Sequence, residues 1–160
     1  MDECRYFFTM LTELILSLKN QGFTKIIVIK GHGGIFVMDP TIRHINATYG
    51  PDLCVCQLDP FFDDVDGIFE TKGEVHAGER ETSVMLHLHP DMVQMEKAVD
   101  FLPDVPRAYL QYGPVLSYSP SGVWGNPTMA TTEKGKRFFE FCLRKSFEHI
   151  DKVFSLGNRY

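Results

Sequence analysis

A short apolar run at residues 25–30, ending in a glycine turn, constrains the fold more than any other segment. Ile26-Ile27-Val28-Ile29 lies between two lysines, and Gly31-His32-Gly33-Gly34 follows directly. A run of β-branched residues without alternation is typical of a strand buried on both faces, as in a parallel sheet. Apolar residues at helical spacing over 5–20 precede it, and Gly22 predicts the end of that helix. A helix joined to such a strand by a short turn indicates an α/β layer protein.

The remaining segments predict further helices and strands within a single domain over residues 1–160. We expect helices over about 36–48, 81–89 and 132–150, the last capped by Thr131 or Thr132, and a second strand over 53–58. Residues 100–130 are rich in proline and glycine, which predicts an irregular region. The acidic cluster Asp63, Asp64 and Asp66 lacks the full pattern of a calcium loop, which favours a solvated loop.

Composition and charge exclude several classes of function. The 160 residues carry a net charge of -5, and the basic residues form no cluster, so neither nucleic acid nor an anionic membrane is an expected partner. No apolar stretch is long enough to span a bilayer, and the first residues do not resemble a signal peptide. The four cysteines form no CxxC motif and are predicted to be reduced thiols of a cytoplasmic protein.

His32 is the first candidate for a functional residue. In open α/β sheets ligands bind beyond the carboxyl ends of the strands, which is where His32 follows the apolar run. A neutral imidazole offers one nitrogen to a metal ion. The same sequence also fits a plain glycine turn, or a phosphate-binding loop in which the histidine is incidental. A P-loop is excluded, because no Gly-Lys-Ser/Thr follows.

The second candidate is the segment His76-Ala77-Gly78-Glu79-Arg80-Glu81-Thr82-Ser83, at the entry to a predicted helix. His76 can exchange protons near neutral pH as a general acid or base, or it can be a hydrogen-bonded loop histidine. Glu81 fits the first turn of a helix, where a carboxylate is favoured even without a ligand. Two clusters of histidine and acidic residues in one short chain favour a metal hydrolase. Trp124, in a loop of glycine and proline, either lines a pocket or anchors that loop.

Several segments match one family in both order and spacing. They are residues 22–29, Gly31-His32-Gly33-Gly34, His76 to Ser83, Gly122-Val123-Trp124-Gly125-Asn126-Pro127 and Ala130-Thr131-Thr132-Glu133-Lys134-Gly135. In these segments the chain resembles the creatininase family (creatinine amidohydrolase and its relatives). The resemblance covers nearly the whole chain, and the first two histidine-containing motifs are specific when both occur in this order.

The resemblance implies a fold, a cofactor and a reaction. The fold would be three-layer α/β/α with a mostly parallel sheet. The cofactor would be a divalent metal, zinc first, with manganese or iron as alternatives. The reaction would be hydrolysis of a non-peptide C–N bond in a small cyclic or linear amide, carried out by a homo-oligomer, commonly a hexamer. By position, His32 and Glu81 would bind the metal, His76 would handle the proton, Glu79 would complete the catalytic residues and Trp124 would border the substrate.

The chain also departs from the family pattern. The family motif Asn-Gly-His-Gly-Gly-Asn is here flanked by Lys30 and Ile35. The family's amino-terminal Glu-x-His pair and later Asp, which also ligate metal, have no counterpart, so we expect an amino-terminally truncated chain that is inactive alone and exposes an apolar face or sheet edge. Two other functions stay open: a non-catalytic paralogue that acts as an interaction or regulatory subunit, and a phosphate binder that needs no metal.

Overall fold

The structure is a computed structural model that describes residues 2–62 and 67–156. The acidic cluster Asp63, Asp64 and Asp66 lies outside the described residues. Two compact units are present: one combines residues 1–62 with 142–160, and the other contains residues 63–141. The single domain over residues 1–160 stays a prediction.

The first unit contains a parallel pair of strands with helices. Helix α1 spans Asp2–Asn20, strand β1 Lys25–Ile29, helix α2 Met38–Tyr49 and strand β2 Cys54–Leu58. The strands pair in parallel, with Ile27 opposite Cys56. These elements begin and end within a few residues of the predicted ones, and they confirm the α/β class with a parallel sheet. The three-layer arrangement stays a prediction, since the sheet has two strands within the described ranges.

Helix α1 ends as its sequence predicts. The Gly22 N–H donates to the Lys19 carbonyl at 2.9 Å and the Phe23 N–H donates to the Leu18 carbonyl at 3.2 Å. This pair of bonds requires a left-handed residue at position 22, and Gly22 has φ +94°. The glycine therefore turns the chain directly from α1 into β1.

Only one face of β1 is buried. Ile26 belongs to the apolar core, with Val28 packed against it. That core also contains Leu11, Ile15, Ile42, Ile45, Leu53 and Val55. On the opposite face, Ile27 is 42% exposed and Ile29 is 62% exposed. The prediction that the strand is buried on both faces is therefore wrong, because α1 and α2 contribute side chains to one face alone. The expected exposure of an apolar face is confirmed for β1.

Asn46 joins α2 to β2 through two hydrogen bonds. Its side-chain Nδ2 donates to the Val55 carbonyl at 2.8 Å, and its Oδ1 accepts the Val55 N–H at 2.8 Å. Both polar groups of a buried strand residue are thereby satisfied by one amide side chain. The helix is held to the strand in one register as a result.

The second unit is built on two helix segments and a long irregular stretch. Helix α3 spans Glu79–Leu88, and helix α4 spans Thr132–Leu156, of which residues up to 141 belong to this unit. Helix α3 begins two residues before its predicted start. The predicted irregular region is confirmed, and it contains short 3-10 turns at Arg107–Gln111, Val115–Ser117 and Pro127–Met129. Two further 3-10 turns follow α3, at Pro90–Met92 and Met95–Lys97.

Helices α3 and α4 approach each other through small residues. The Thr131 hydroxyl accepts the Lys134 N–H at 3.2 Å, which confirms the predicted cap of α4. The Thr131 N–H in turn donates to the Ser83 hydroxyl at 3.1 Å. A Cβ atom on Gly135 would lie 1.8 Å from the Ser83 carbonyl oxygen, so only glycine permits this approach. Phe138, one turn further along α4, is buried.

Two properties of the described residues bear on the setting of the protein. The four cysteines, all within the described residues, are not joined in disulfides, and Cys56 and Cys142 are buried. Along the described ranges, no helix combines the length and the apolar character that crossing a bilayer requires.

Candidate functional site

His32 lies in the first unit, in the turn that follows β1, and its side chain is exposed. Its Nδ1 accepts the Gly34 N–H at 3.0 Å. A backbone N–H can only donate, so Nδ1 holds a lone pair, and in a neutral ring Nε2 carries the proton. A metal ion could bind Nδ1 only in place of the Gly34 N–H, or Nε2 only after the proton moves to Nδ1. Metal binding by His32 therefore requires the bond to Gly34 to open.

Lys30 lies at the carboxyl end of β1, two residues before His32. Its side chain is 11% exposed, and its Nζ lies 3.9 Å from Asp39 Oδ2 and 3.7 Å from Asp59 Oδ2. The ammonium group is a fixed positive charge where the family motif has an uncharged asparagine. Such a charge by itself opposes the binding of a cation nearby, and the carboxylates of Asp39 and Asp59 offset part of that effect.

His76 lies in the second unit and is held through its backbone. The His76 carbonyl accepts the Trp124 N–H at 2.8 Å, and the Trp124 carbonyl accepts the N–H groups of Val75 at 2.8 Å and His76 at 3.2 Å. The imidazole itself is exposed. The next residue, Ala77, has φ +50°, a left-handed conformation that turns the chain toward α3. His76 is thus an exposed imidazole on a fixed backbone.

Glu81 is the third residue of α3, and its carboxylate turns back to the loop. Its Oε2 accepts the Ala77 N–H. This contact is close to a capping box, in which an acidic residue at this helix position satisfies a backbone N–H ahead of the helix. Glu81 is exposed, so its second oxygen remains available to a ligand.

Glu79, the first residue of α3, is fully buried, with 0% exposure. Its Oε2 accepts the Thr71 N–H at 2.7 Å, and the Glu70 N–H lies 3.3 and 3.2 Å from its two oxygens. Lys134 Nζ donates to its Oε1 at 2.6 Å. Burial alone would raise the pKa of this carboxyl, but the hydrogen bonds from Lys134, Thr71 and Glu70 outweigh burial and hold its pKa below its usual range.

A second carboxylate, that of Glu74, binds Arg80 within the same segment. It accepts the Arg80 N–H at 3.1 and 3.3 Å, and Arg80 Nε lies 3.2 Å from its Oε1. The Arg80 guanidinium also lies over the rings of Phe69 and Phe138, at 5.9 and 5.6 Å from their centroids. Burial raises the pKa of the Glu74 carboxyl, and its contacts with Arg80 oppose that rise. The loop between residues 70 and 81 is therefore fixed by two buried carboxylates.

Trp124 is 2% exposed, and its ring packs edge-on against Tyr118 with centroids 6.1 Å apart. Its backbone forms the bridge to His76 described above. The tryptophan therefore anchors its loop beside the segment that carries His76. Its predicted contact with substrate stays a prediction.

A groove of about 310 Å³ lies against the same segment of the second unit. Ala77 and Thr82, which flank Glu79 and Glu81 in the sequence, line part of it. The other walls carry apolar side chains such as Val93, Met95 and Val123, together with Gln94 and Lys97. A small molecule in this groove would lie next to the backbone that holds His76 and Glu81.

The predicted site residues are divided between the units. His76, Glu79, Glu81 and Trp124 belong to one segment and its neighbour in the second unit, whereas His32 belongs to the first. Within residues 2–62 and 67–156, no three His, Cys, Asp or Glu side chains are grouped so that they could hold a metal ion. A catalytic zinc keeps three protein ligands, so the described residues do not form a complete metal site by themselves.

Sequence reasoning gave no role to Lys134 or Glu74. Lys134 is separated from Glu79 by 55 positions, so no local pattern connects them. The one available signal was the resemblance over residues 130–135, which marked the segment without saying what it contacts.

Comparison with known proteins agrees with this architecture. The family model described as "Creatininase: Creatinine amidohydrolase" matches residues 5–150. The chain belongs to the creatininase family. It is 31% identical to the 3-dehydro-scyllo-inosose hydrolase of Thermotoga maritima over 176 aligned residues, which cover 92% of this chain and 55% of that protein. It is also 39% identical to the mycofactocin precursor peptide peptidase of Mycobacterium ulcerans over 75 residues, 42% of this chain and 28% of that one.

Solved structures show the same fold. A putative creatinine amidohydrolase from Bacteroides fragilis superposes with a TM-score of 0.72 at 32% identity, over 96% of this chain and 61% of that one. A manganese creatininase has a TM-score of 0.70 at 21% identity, over 94% of this chain and 65% of that one. A creatininase variant of Zn–Zn type has a TM-score of 0.68 at 21% identity, over 94% and 64%. This chain thus spans a little over half of the Thermotoga maritima protein and less than two thirds of these structures.

Proposed function

We propose that this creatininase-family chain takes part in the hydrolysis of a non-peptide C–N bond in a small cyclic or linear amide, with the help of a divalent metal. The observation that carries the proposal is the segment 76–81, which presents an exposed imidazole and an exposed carboxylate on a braced backbone beside a groove. Such hydrolysis needs a proton removed from the attacking water and one delivered to the leaving nitrogen. His76 is the group proposed to carry that proton, because an imidazole accepts and donates near neutral pH.

The proposed metal ligands of this chain are His32 and Glu81. An imidazole nitrogen and a carboxylate oxygen are donors that suit zinc, which we propose ahead of manganese or iron. The manganese and Zn–Zn forms of the similar creatininase structures support a divalent ion. Two ligands are fewer than a catalytic zinc keeps, so a protein of these 160 residues alone is expected to be inactive.

The other proposed roles follow the family. Glu79 is proposed as a catalytic-site residue whose buried carboxylate fixes the start of α3, and Trp124 as a residue at the border of the substrate site. A cytoplasmic homo-oligomer, a hexamer by family resemblance, is the proposed setting, with a small amide as substrate and no nucleic acid or membrane partner.

Zinc binding tests the ligand assignment. We would measure the affinity of the purified chain for zinc by competition with a chromogenic chelator, and follow the Gly34 amide by NMR. His32→Ala and Glu81→Gln should each weaken binding by more than about tenfold, and His89→Ala, which removes an exposed histidine elsewhere, should not. Zinc should also shift the Gly34 amide resonance, because its bond to His32 must open. Equal zinc affinity in wild type, His32→Ala and Glu81→Gln would refute the assignment.

A non-catalytic subunit is the second candidate, and the charge of Lys30 favours it. The ammonium group, buried between Asp39 and Asp59, stands where it opposes a metal at the carboxyl end of β1. For this candidate we expect no His32-dependent zinc binding in wild type. If the Lys30 charge is the reason, zinc binding should appear in Lys30→Asn and be lost in the double variant with His32→Ala. Zinc binding by wild type that is lost in His32→Ala would argue against the candidate.

A further inference from the structure

Lys134 belongs to the segment Ala130 to Gly135, which matches the family but has no role in the proposed reaction. We propose that Lys134 is a positioning residue, whose ammonium group holds the segment 76–81 in place through the buried carboxylate of Glu79. The proposal rests on the proposed function only in calling that segment the catalytic one. The contacts themselves are independent of it.

The ammonium group of Lys134 is fully used in these contacts. Its Nζ donates to Glu79 Oε1 at 2.6 Å, to Glu70 Oε1 at 2.9 Å and to the Met129 carbonyl at 2.9 Å. A lysine has three N–H donors, and each has one acceptor here. The side chain is 15% exposed, so water competes weakly for these bonds. Lys134 therefore joins three separate parts of the chain, at Glu70, Glu79 and Met129.

Glu79 connects Lys134 to the loop. Its carboxylate accepts the N–H groups of Glu70 and Thr71 while it also begins α3. Glu79 therefore holds both ends of the loop over residues 72–78. Its carboxylate binds the residues before the loop, and its backbone follows directly after it. His76 lies in the middle of this loop and Glu81 lies two residues beyond its end. A shift of Glu79 would displace the imidazole and the second carboxylate together.

The second carboxylate that holds this loop, that of Glu74, is bound by a residue of the same segment. The effect of Lys134 on the loop can therefore be measured separately from its effect on the fold. Glu74 is neutralised by Arg80, a residue of the same segment, whereas the cation for Glu79 comes from α4. Helix α4 is held against α3 by different contacts, the bond from Thr131 to Ser83 and the close approach at Gly135. Removal of the ammonium group should therefore loosen the loop while the packing of the two helices remains.

The test compares hydrogen exchange at two amides in Lys134→Met, a variant of similar length without the charge. The Trp124 N–H, bonded to the His76 carbonyl, reports the position of the loop, and the buried Phe138 amide reports global unfolding. We expect exchange at Trp124 to be at least about tenfold faster and exchange at Phe138 to change by less than about twofold. Lys136→Met, an exposed lysine on the same helix, is the matched control and should behave as wild type.

Two outcomes would overturn the proposal. Wild-type exchange at Trp124 in Lys134→Met would show that the loop does not depend on the ammonium group. Equal acceleration at Trp124 and Phe138 would show that Lys134 serves global stability alone. If Lys134→Met does not fold, Lys134→Gln is used for the same measurement. Its side-chain amide keeps two N–H donors but lacks the charge of the ammonium group. Faster exchange at Trp124 in that variant supports the proposal, and the wild-type rate overturns it.

Zinc affinity separates this proposal from the proposed function. If both hold, Lys134→Met should weaken zinc binding, although His32 and Glu81 are unchanged, and Lys136→Met should not. If His32→Ala and Glu81→Gln already leave zinc affinity unaltered, the proposed function fails. The exchange measurement at Trp124 still decides whether Lys134 positions the segment.

Discussion

An alanine at position 135 should destabilise the protein, although alanine favours a helix more than glycine does. The new Cβ atom would lie 1.8 Å from the Ser83 carbonyl oxygen, 2.4 Å from its carbon and 3.0 Å from the Val84 nitrogen. Favourable contacts need about 3.5 Å, so α3 and α4 would have to separate by roughly 1.5–2 Å. All three obstructing atoms belong to the backbone and cannot turn aside as a flexible side chain would.

The expected change in the free energy of unfolding is the difference of two opposing effects. Alanine in a helix interior is about 1 kcal/mol more favourable than glycine. Overpacking of a close contact costs about 1–3 kcal/mol, and more where backbone must move. Since the clash at Gly135 is with backbone, we take the cost at the upper end of that range, about 3 kcal/mol, so Gly135→Ala should lose about 2 kcal/mol overall.

Urea denaturation followed by far-UV circular dichroism measures this change. Lys136→Ala is the matched control, because it alters an exposed residue of the same helix and should stay within about 0.5 kcal/mol of wild type. A Gly135→Ala variant as stable as wild type, or more stable, would show instead that helix propensity outweighs the close contact with Ser83.

Three further predictions concern single hydrogen-bonding side chains. Asn46→Ala should lower the free energy of unfolding by about 1–3 kcal/mol in urea denaturation, because the N–H and the carbonyl of Val55 lose their partners; Asn46→Asp should recover only part of the loss, since it restores the acceptor alone. Thr131→Ala should cost about 1 kcal/mol in the same assay through loss of the α4 cap, whereas Thr131→Ser, which keeps the hydroxyl, should stay near wild type. The Glu79 carboxyl has a lowered pKa in the folded state, so its ionised form stabilises the protein above the ordinary glutamate pKa of about 4.3, and this stabilisation is lost as pH falls through the lowered value. The stability advantage of wild type over Glu79→Gln should therefore shrink on acidification in urea titrations, and an advantage that is constant with pH would contradict the ion pair.

Local patterns in the sequence predicted most of the helices and strands. The apolar spacing of α1 and the glycine after it act within a few residues, so Gly22 could be assigned its left-handed turn in advance. The cap of α4 by Thr131 is local in the same way. The start of α3 was predicted two residues late because Glu79 is held by Thr71 and Lys134, which no helix rule takes into account.

The candidate site was predictable as a set of motifs but not as an arrangement. Residue types identified His32, His76 and Glu81, since imidazole and carboxylate groups after a strand or before a helix suit metal and proton chemistry. The direction of each side chain was not predictable: the carboxylate of Glu81 turns back to Ala77, and the imidazole of His32 turns to Gly34. The burial of one face of β1 alone was also missed, because an apolar run does not show which neighbours the strand has.

The amide side chain of Asn46 determines at which edge of the sheet a further strand could pair. It offers Val55 one donor and one acceptor, as the peptide group of an adjacent strand would, and it occupies the outer side of β2 at that residue. A third strand could not pair there without displacing α2. Any larger sheet that contains this pair must therefore extend beside β1, which leaves β2 as a terminal strand closed by its own helix.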